Sequence, residues 1–271
     1  MSSSNFITKS SATQFKSEKE FVQHVHSAVS EVKEHHIFIF TDVSELWGRS
    51  ALKAIDEVFA FRHTLDPYEH TLRLKVMPVL AHEAIQPWLN KTLANWHFGT
   101  GDLNQAEYAL LFGVANAKFR FTSGPYVNWE KTPDFAIMVN EQRLPTVVAE
   151  AGWSESHPEL LNDVNRIMVG GNGATNIAIL FKWYRRSNNR RAADIQVYRK
   201  DRNNTPILIQ EETVFPRPRP ITNQTIRITR GDLFGAARLH GRAASDVLSL
   251  DLELLRDEGT RMLHIMGLVP A

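Results

Sequence analysis

Asp134 and Glu150 are the residues of this chain whose type and spacing best suit chemistry. Asp134 follows Pro133 at the head of the apolar run PDFAIMV (133–139). Glu150 lies inside TVVAEAGW (146–153), sixteen residues later, across the turn NEQRLP (140–145). Carboxylates on the two strands of a hairpin can come side by side on one face when the register allows. In the second run Val147, Ala149 and Ala151 alternate with Val148, Glu150 and Gly152. An acid in so apolar a strand is costly to bury unless it is paired or binds a metal. Paired hard oxygen donors suit Mg2+ or Mn2+ better than zinc. Such an ion can polarise a phosphodiester and lower the pKa of the water that attacks it.

The elements around this pair follow from periodicity. Strands are expected at 117–123, 133–139, 146–153 and 175–184. A helix after Ser156 is signalled by a capping box with Glu159, by Pro158 in its first turn, and by a stop at Gly170 and Gly171. Strand, strand, strand, helix, strand describes a hairpin followed by a βαβ unit, hence a mixed sheet under helical cover. Upstream, 18–34 reads as an amphipathic helix capped by Ser17, 35–40 as a strand, 50–62 as a helix, 71–80 as a strand, and 81–98 and 103–115 as helices. Downstream, strands are expected at 193–199, 206–214 and 225–229, then a helix capped by Ser245 and carrying Val247, Leu248, Leu250, Leu254 and Leu255. FPRPRP (215–220) alternates proline and is expected to be extended.

The stretch KTPDF (131–135), the turn, and VVAEAG (147–152) resemble the PD-(D/E)XK, or restriction-endonuclease-like, superfamily. The continuation WSESHPELLNDVNR (153–166) is similar to a fungal group of such proteins related to the bacterial Uma2 type. The likeness covers roughly 115–185. DLFG (232–235) and the terminal Leu-rich helix resemble that group more weakly. The resemblance implies a restriction-endonuclease-like core, a mixed central sheet flanked by helices. It also implies metal binding by Asp134, Glu150 and the backbone carbonyl of Ala151. The lysine that the family places two residues after the glutamate is here Gly152. Lys182 on the fourth strand and Arg166 on the helix are the candidates to replace it. That lysine orients the attacking water and neutralises developing charge. Arginine can clamp phosphate but is a poor proton-transfer group.

Other groups are weaker candidates. Glu155 could add a metal oxygen, whereas capping accounts for Ser156. Glu83 and Glu107 are the acids that an upstream helix could contribute. Glu130 and Lys131 read best as solvated loop charges. His24 and His26 diverge on a helix and His35 and His36 are adjacent, so neither pair has the i, i+4 spacing of zinc ligands. Gly170, Gly171, Asn172 and Gly173 follow a helix and precede a strand, the reverse of a phosphate loop.

Residues 182–202 hold eight basic residues against Asp194 and Asp201, a local +6 in a chain of net charge +1. Lys182, Arg185, Arg186, Arg190 and Arg191 form its first part, with Trp183 and Tyr184 interleaved. This is the footprint a phosphate backbone requires. The expected partner is nucleic acid, DNA ahead of RNA and without strong sequence preference, and a homodimer is one expected assembly.

There are no cysteines among the 271 residues, which excludes disulfides and thiolate metal sites. The polar start, MSSSNFITKSSATQF, is not a secretory signal. No stretch reaches the length of a membrane span. An intracellular protein away from the membrane is expected. Its anticipated organisation is a flexible 1–16, an α/β segment 17–115 packed on the core, a nuclease-like core 116–240 and a helix within 241–271, in one compact domain. The expected activity is a divalent-metal-dependent nuclease. The alternative is an inactive fold retained to bind nucleic acid or protein.

Overall fold

In a computed structural model, the residues described are 6–56, 58–76, 80–153, 155–220 and 223–271. The chain begins with β1 (Ile7–Ser11), α1 (Glu18–Ser30), β2 (His36–Thr41), α2 (Glu45–Asp56), β3 (Phe61–Asp66) and β4 (Thr71–Val76). A short 3-10 turn, Leu80–Ala84, leads into α3 (Ile85–Ala94), α4 (Gln105–Leu110) and β5 (Leu111–Val114). Then come β6 (Phe119–Arg120), β7 (Glu130–Lys131), β8 (Phe135–Val139), β9 (Val147–Gly152), α5 (His157–Val169), β10 (Ile177–Arg185), β11 (Arg190–Lys200) and β12 (Pro206–Phe215). The last elements are β13 (Thr225–Thr229), α6 (Arg230–Phe234), β14 (Val247–Asp251), α7 (Leu252–Ile265) and β15 (Val269–Pro270).

The chain forms two compact units rather than the expected single domain, and their boundaries cut across the expected segments. Residues 1–79 and 118–132 make one unit; 80–117 and 133–271 make the other. In the first, a mixed sheet of order β1-β2-β4-β3-β7-β6 buries Phe38, Phe40, Leu65, Leu72 and Leu74 against Phe21, Val25 and Val29 of α1 and Leu52 and Ile55 of α2. Phe21 meets Phe40 edge to face at 5.6 Å, the geometry that ring quadrupoles favour.

In the second unit the path is β12-β11-β10-β9-β8-β5, with β15 beside β11. The hairpin β8–β9 and the unit β9–α5–β10 form as the sequence predicts, with β9 and β10 parallel. β10, parallel to β9 and antiparallel to β11, lies in the middle of the sheet and is buried over most of its length. Helix α5 starts where expected. Ser156 Oγ accepts from Glu159 N–H and Glu159 Oε2 accepts from Ser156 N–H. The helix buries Leu160, Val164, Ile167 and Met168, each side chain contributing about 1.5–3 kcal/mol. Trp88 and Trp96 donate their indole N–H groups to the carbonyls of Asp251 and Ser249, tying the segment after Leu80 to β14 and the start of α7.

Several expectations need correction. The Ser/Thr-rich start is not loose from Ile7 onward: Ile7–Ser11 pairs in parallel with Ile37–Thr41. Its polar side chains are those of an edge strand, where backbone bonds rather than burial do the ordering. The helix expected at 50–62 is α2, which begins earlier and gives way to β3. Of 117–123 only Phe119 and Arg120 form a strand, and β6 pairs with β7 in the first unit rather than with the hairpin. The helix expected over 103–115 ends at Leu110, and β5 follows. Val247–Asp251 is a strand paired with β13, and Asp251, not Ser245, caps the last helix. In VLSLD the apolar residues also alternate, so a period of two was present.

Candidate active site

Asp134 and Glu150 are brought together by the hairpin. The β8–β9 ladder pairs Phe135 with Ala149 and Ala136 with Val148. One further step of that register sets Asp134 opposite Glu150. Both are buried, at 3% and 5% exposure. Asp134 Oδ2 accepts the N–H of Ala151 at 2.6 Å, the short geometry of a charge-assisted bond. In an antiparallel ladder a residue's N–H and C=O face the same neighbour. The Ala151 carbonyl is therefore directed to the side of β9 from which Asp134 approaches.

Lys182 completes the group. The parallel β9–β10 register pairs Leu180 with Glu150 and Lys182 with Gly152. Paired residues on parallel strands project to the same face, so Lys182 stands one position beyond Glu150 on the face they share. A Cβ placed at Gly152 would lie 3.0 Å from Lys182 Cδ and 2.4 Å from Leu160 Cδ1. The lysine stem from β10 and the first turn of α5 thus fill the space that a side chain at 152 would need. Lys182 Nζ donates to the Glu155 carbonyl at 2.7 Å and stands 5.8 Å from the Tyr184 ring centroid. Glu155 is 4% exposed and its Oε2 accepts from Trp153 N–H at 3.0 Å. Glu155 thereby fixes both the chain leaving β9 and the lysine head. Arg166 is half-buried in the last turn of α5, ten residues beyond the Ser156 cap. That is about 15 Å along the helix axis.

His82, in the 3-10 turn before α3, is a residue that sequence reasoning missed. It is 1% exposed, and its Nδ1 lies 3.6 Å from Asp134 Oδ2. The available signal was its i, i+3, i+7 relation to Ile85 and Leu89, which puts it on the buried face of that segment. Of the two upstream acids, Glu107 is committed elsewhere. It is fully buried, shares a capping box with Asn104, and pairs with Arg230 and Arg242. Glu83 is half-buried beside His82 in sequence.

Glu130 and Lys131 are not solvated loop charges; they form β7 and are buried in the first unit. Glu130 accepts from Arg49 Nη1 at 3.0 Å and lies 2.8 Å from His63 Nε2. Burial alone would raise its pKa, but these two bonds outweigh it and hold the carboxyl down at about 2. Burial pushes His63 below the usual imidazole range.

The basic stripe divides in two. Arg185, Arg186, Arg190 and Arg191 gather around the tight β10–β11 turn, where Asn188 and Asn189 both take positive φ. Asparagine tolerates that conformation, and two such residues in a row match the twist of a hairpin. Arg191 lies 4.6 Å over the Trp153 ring. Arg199 and Lys200, at the far end of β11, are otherwise engaged, by Asp232 at 2.7 Å and by the Gly173 carbonyl.

The donor set fits a hard divalent ion. Two neighbouring buried carboxylates and a directed carbonyl are the number of protein oxygens that Mg2+ takes when waters and substrate supply the rest. Among the described residues no group of three or more His, Cys, Asp or Glu side chains is arranged to hold a metal. Such a set leaves out backbone oxygens and is not needed for Mg2+. In comparisons with known proteins, no family model matches the chain and no curated protein matches it. Among the described residues no helix is long and apolar enough to cross a membrane.

Proposed function

We propose that the unit made of 80–117 and 133–271 is a restriction-endonuclease-like core that cleaves nucleic acid, DNA ahead of RNA, with the help of Mg2+ or Mn2+. The observation that carries this reading is the pairing of Lys182 with Gly152, beside Glu150. The cation missing from β9 is supplied by the adjacent strand at the same level and on the same face. Asp134, Glu150 and the Ala151 carbonyl would hold the ion. When bound, it would polarise the phosphodiester and acidify a water. Lys182 places a positive charge where the pentavalent phosphorus centre gains negative charge, a stabilisation that needs no reorganisation during reaction. The Glu155 carbonyl keeps its ammonium in place. Arg185, Arg186, Arg190 and Arg191 draw the phosphate backbone to the same end of β10, with Arg185 about 10 Å from Lys182 along the strand.

A second reading is a nucleic-acid-binding module derived from such an enzyme. Its support is that the lysine head is already bonded to a backbone carbonyl at 2.7 Å. The deciding experiment compares cleavage of plasmid, single-stranded DNA and RNA in Mg2+, in Mn2+ and in chelator. Metal-dependent cleavage by the wild type, lost in Asp134→Ala and Glu150→Ala, supports the enzyme. Retained nucleic-acid binding by a folded protein that cuts none of the three supports the module.

A further inference from the structure

Beside the β10–β11 turn lies a concavity of about 680 Å³. Its walls are Arg190 at the start of β11, the strap Pro216-Arg217-Pro218-Arg219, and Pro270-Ala271 of the last strand. Three arginines line it, and no acidic side chain does. Val269 and Ala271 donate to the carbonyls of Asn189 and Arg191, so the third wall is fixed to the turn by backbone bonds at 3.2 and 2.8 Å.

The cations around this concavity differ from the buried and half-buried arginines that anchor the unit. Arg199, Arg230, Arg242 and Arg256 each meet an acid. Among the described residues, Arg185, Arg186, Arg190, Arg191 and Arg219 make no ion pair. Arg185 and Arg191 are even partners across the hairpin, a like-charge arrangement that costs stability unless an anion offsets it. Arg217 pairs with Glu253 at 2.9 Å, but the arginine is exposed and the acid only half-buried, and a surface pair of this kind is worth little. Prolines 216, 218 and 220 fix φ at alternate residues and remove their N–H groups. The strap therefore presents guanidinium groups from a stiff, largely apolar wall.

We infer that this concavity holds the phosphate backbone of a single-stranded nucleic acid, with Arg190, Arg217 and Arg219 on its phosphates. Its volume is that of a site for one small ligand. It suits a nucleotide or two of a flexible strand and is too small to admit a duplex. Arginine forks match phosphate oxygens two at a time, and proline rings offer the bases an apolar surface. The arginines of the turn continue the track towards Lys182. The inference takes its ligand class from the proposed function but does not depend on metal binding or cleavage.

The test is binding of a fluorescein-labelled 12-mer, as single-stranded DNA, single-stranded RNA and duplex DNA. It is measured in chelator over a salt series, with the full chain and with Arg217→Ala/Arg219→Ala. The expected result is single strands preferred over duplex. The double variant should bind them roughly tenfold or more weakly, with a log–log salt slope smaller by about 1.4, at about 0.7 per lost phosphate contact. Lys19→Ala, an exposed cation lost from α1, should bind as the wild type does. Arg217→Lys/Arg219→Lys keeps the charge, so partial recovery would separate contact from misfolding. A double variant that binds as the wild type does would overturn the inference and leave the nucleic-acid reading standing. A wild-type chain that binds none of the three probes overturns both.

Discussion

Lys182 and Gly152 are best understood as one exchange. Leu160 closes to within 2.4 Å of where a Cβ at 152 would sit, so a lysine there would have to displace the Leu160 side chain and the Lys182 stem. In the proposed reading the charge comes instead from β10, where Lys182 pairs with Gly152. Lys182→Ala should lower the cleavage rate by about 10²–10³, the usual effect of losing one preorganised electrostatic partner of a transition state, with the metal requirement unchanged. Arg166→Ala should stay within a few-fold of wild type. Single-turnover rates at saturating Mn2+ separate the two, and the reverse ranking would move the cation to α5. The sequence displayed Asp134, Glu150 and both cations, because residue type and spacing along a chain are visible in it. It could not rank Lys182 over Arg166, since that depends on the register between β9 and β10. Nor did it expose His82, whose only mark is a buried helical position shared with apolar neighbours. Glu107 is a structural counterpart to these residues. It is fully buried, and so is its partner Arg230. Glu107→Ala would leave that guanidinium with only the more exposed Asp246, 3.2 Å from its Nε, and should cost about 3 kcal/mol, read as a shift of the denaturation midpoint.

Single elements show where the sequence pattern ran out. α1, β2, β4, α5, β10 and β12 were legible because their apolar periods are unbroken. β3 and β5 were not: FRHTLD carries four polar or charged residues, Arg62, His63, Thr64 and Asp66, that are nonetheless buried, and LFGV is short and follows a helix without a break. The buried polar content of β3 has a consequence for pH. His63 has its pKa lowered, and Glu130, across the strand pair, is held down at about 2. In both cases the unfolded chain binds protons more readily than the folded one, so stability is full above the unfolded pKa and is lost as pH falls. His63 begins to withdraw support below about 6.5, and Glu130 does so between about 4.5 and 2. Arg49, Lys118 and Asp56 are the other charges around the pair. Amide exchange in β3 and β7 should quicken as pH is lowered through this window, beyond the intrinsic pH dependence of exchange, and Glu130→Gln should remove the lower part of the change. In the same unit, Gly48 lies inside α2. Glycine to alanine in a helix ordinarily stabilises by about 0.5–1 kcal/mol. Here the new methyl would stand 2.5 Å from Leu65 Cδ1, and Leu65 is fully buried. Gly48→Ala should therefore destabilise, by about 1–3 kcal/mol; a raised denaturation midpoint would mean that Leu65 turns aside without cost.

For the whole molecule, net charge conceals the feature that matters. A chain of 31 basic and 30 acidic residues has almost no overall field, so long-range attraction for a polyanion must come from local imbalance. Arg199, Arg230, Arg242, Arg256 and Arg261 are each paired with an acid, whereas Arg185, Arg186, Arg190 and Arg191 are gathered at one end of one sheet by a two-asparagine turn. Sequence counting made one stripe of 182–202. The strand geometry breaks it, because Arg190 and Arg199 lie about 30 Å apart at opposite ends of β11. If those four arginines, Arg217 and Arg219 each release one counterion from a single strand, the slope of log affinity against log salt should be about −4.2, at about 0.7 per contact. The measurement is binding of a single-stranded 12-mer between 50 and 300 mM salt. Reversal of one turn arginine, Arg186→Glu, should weaken binding at every sequence tested and flatten the slope, because phosphate contacts position a strand without reading it. A slope near zero would mean that the ligand of this end is not a polyanion, and the unpaired arginines would then need an acidic protein surface as their partner.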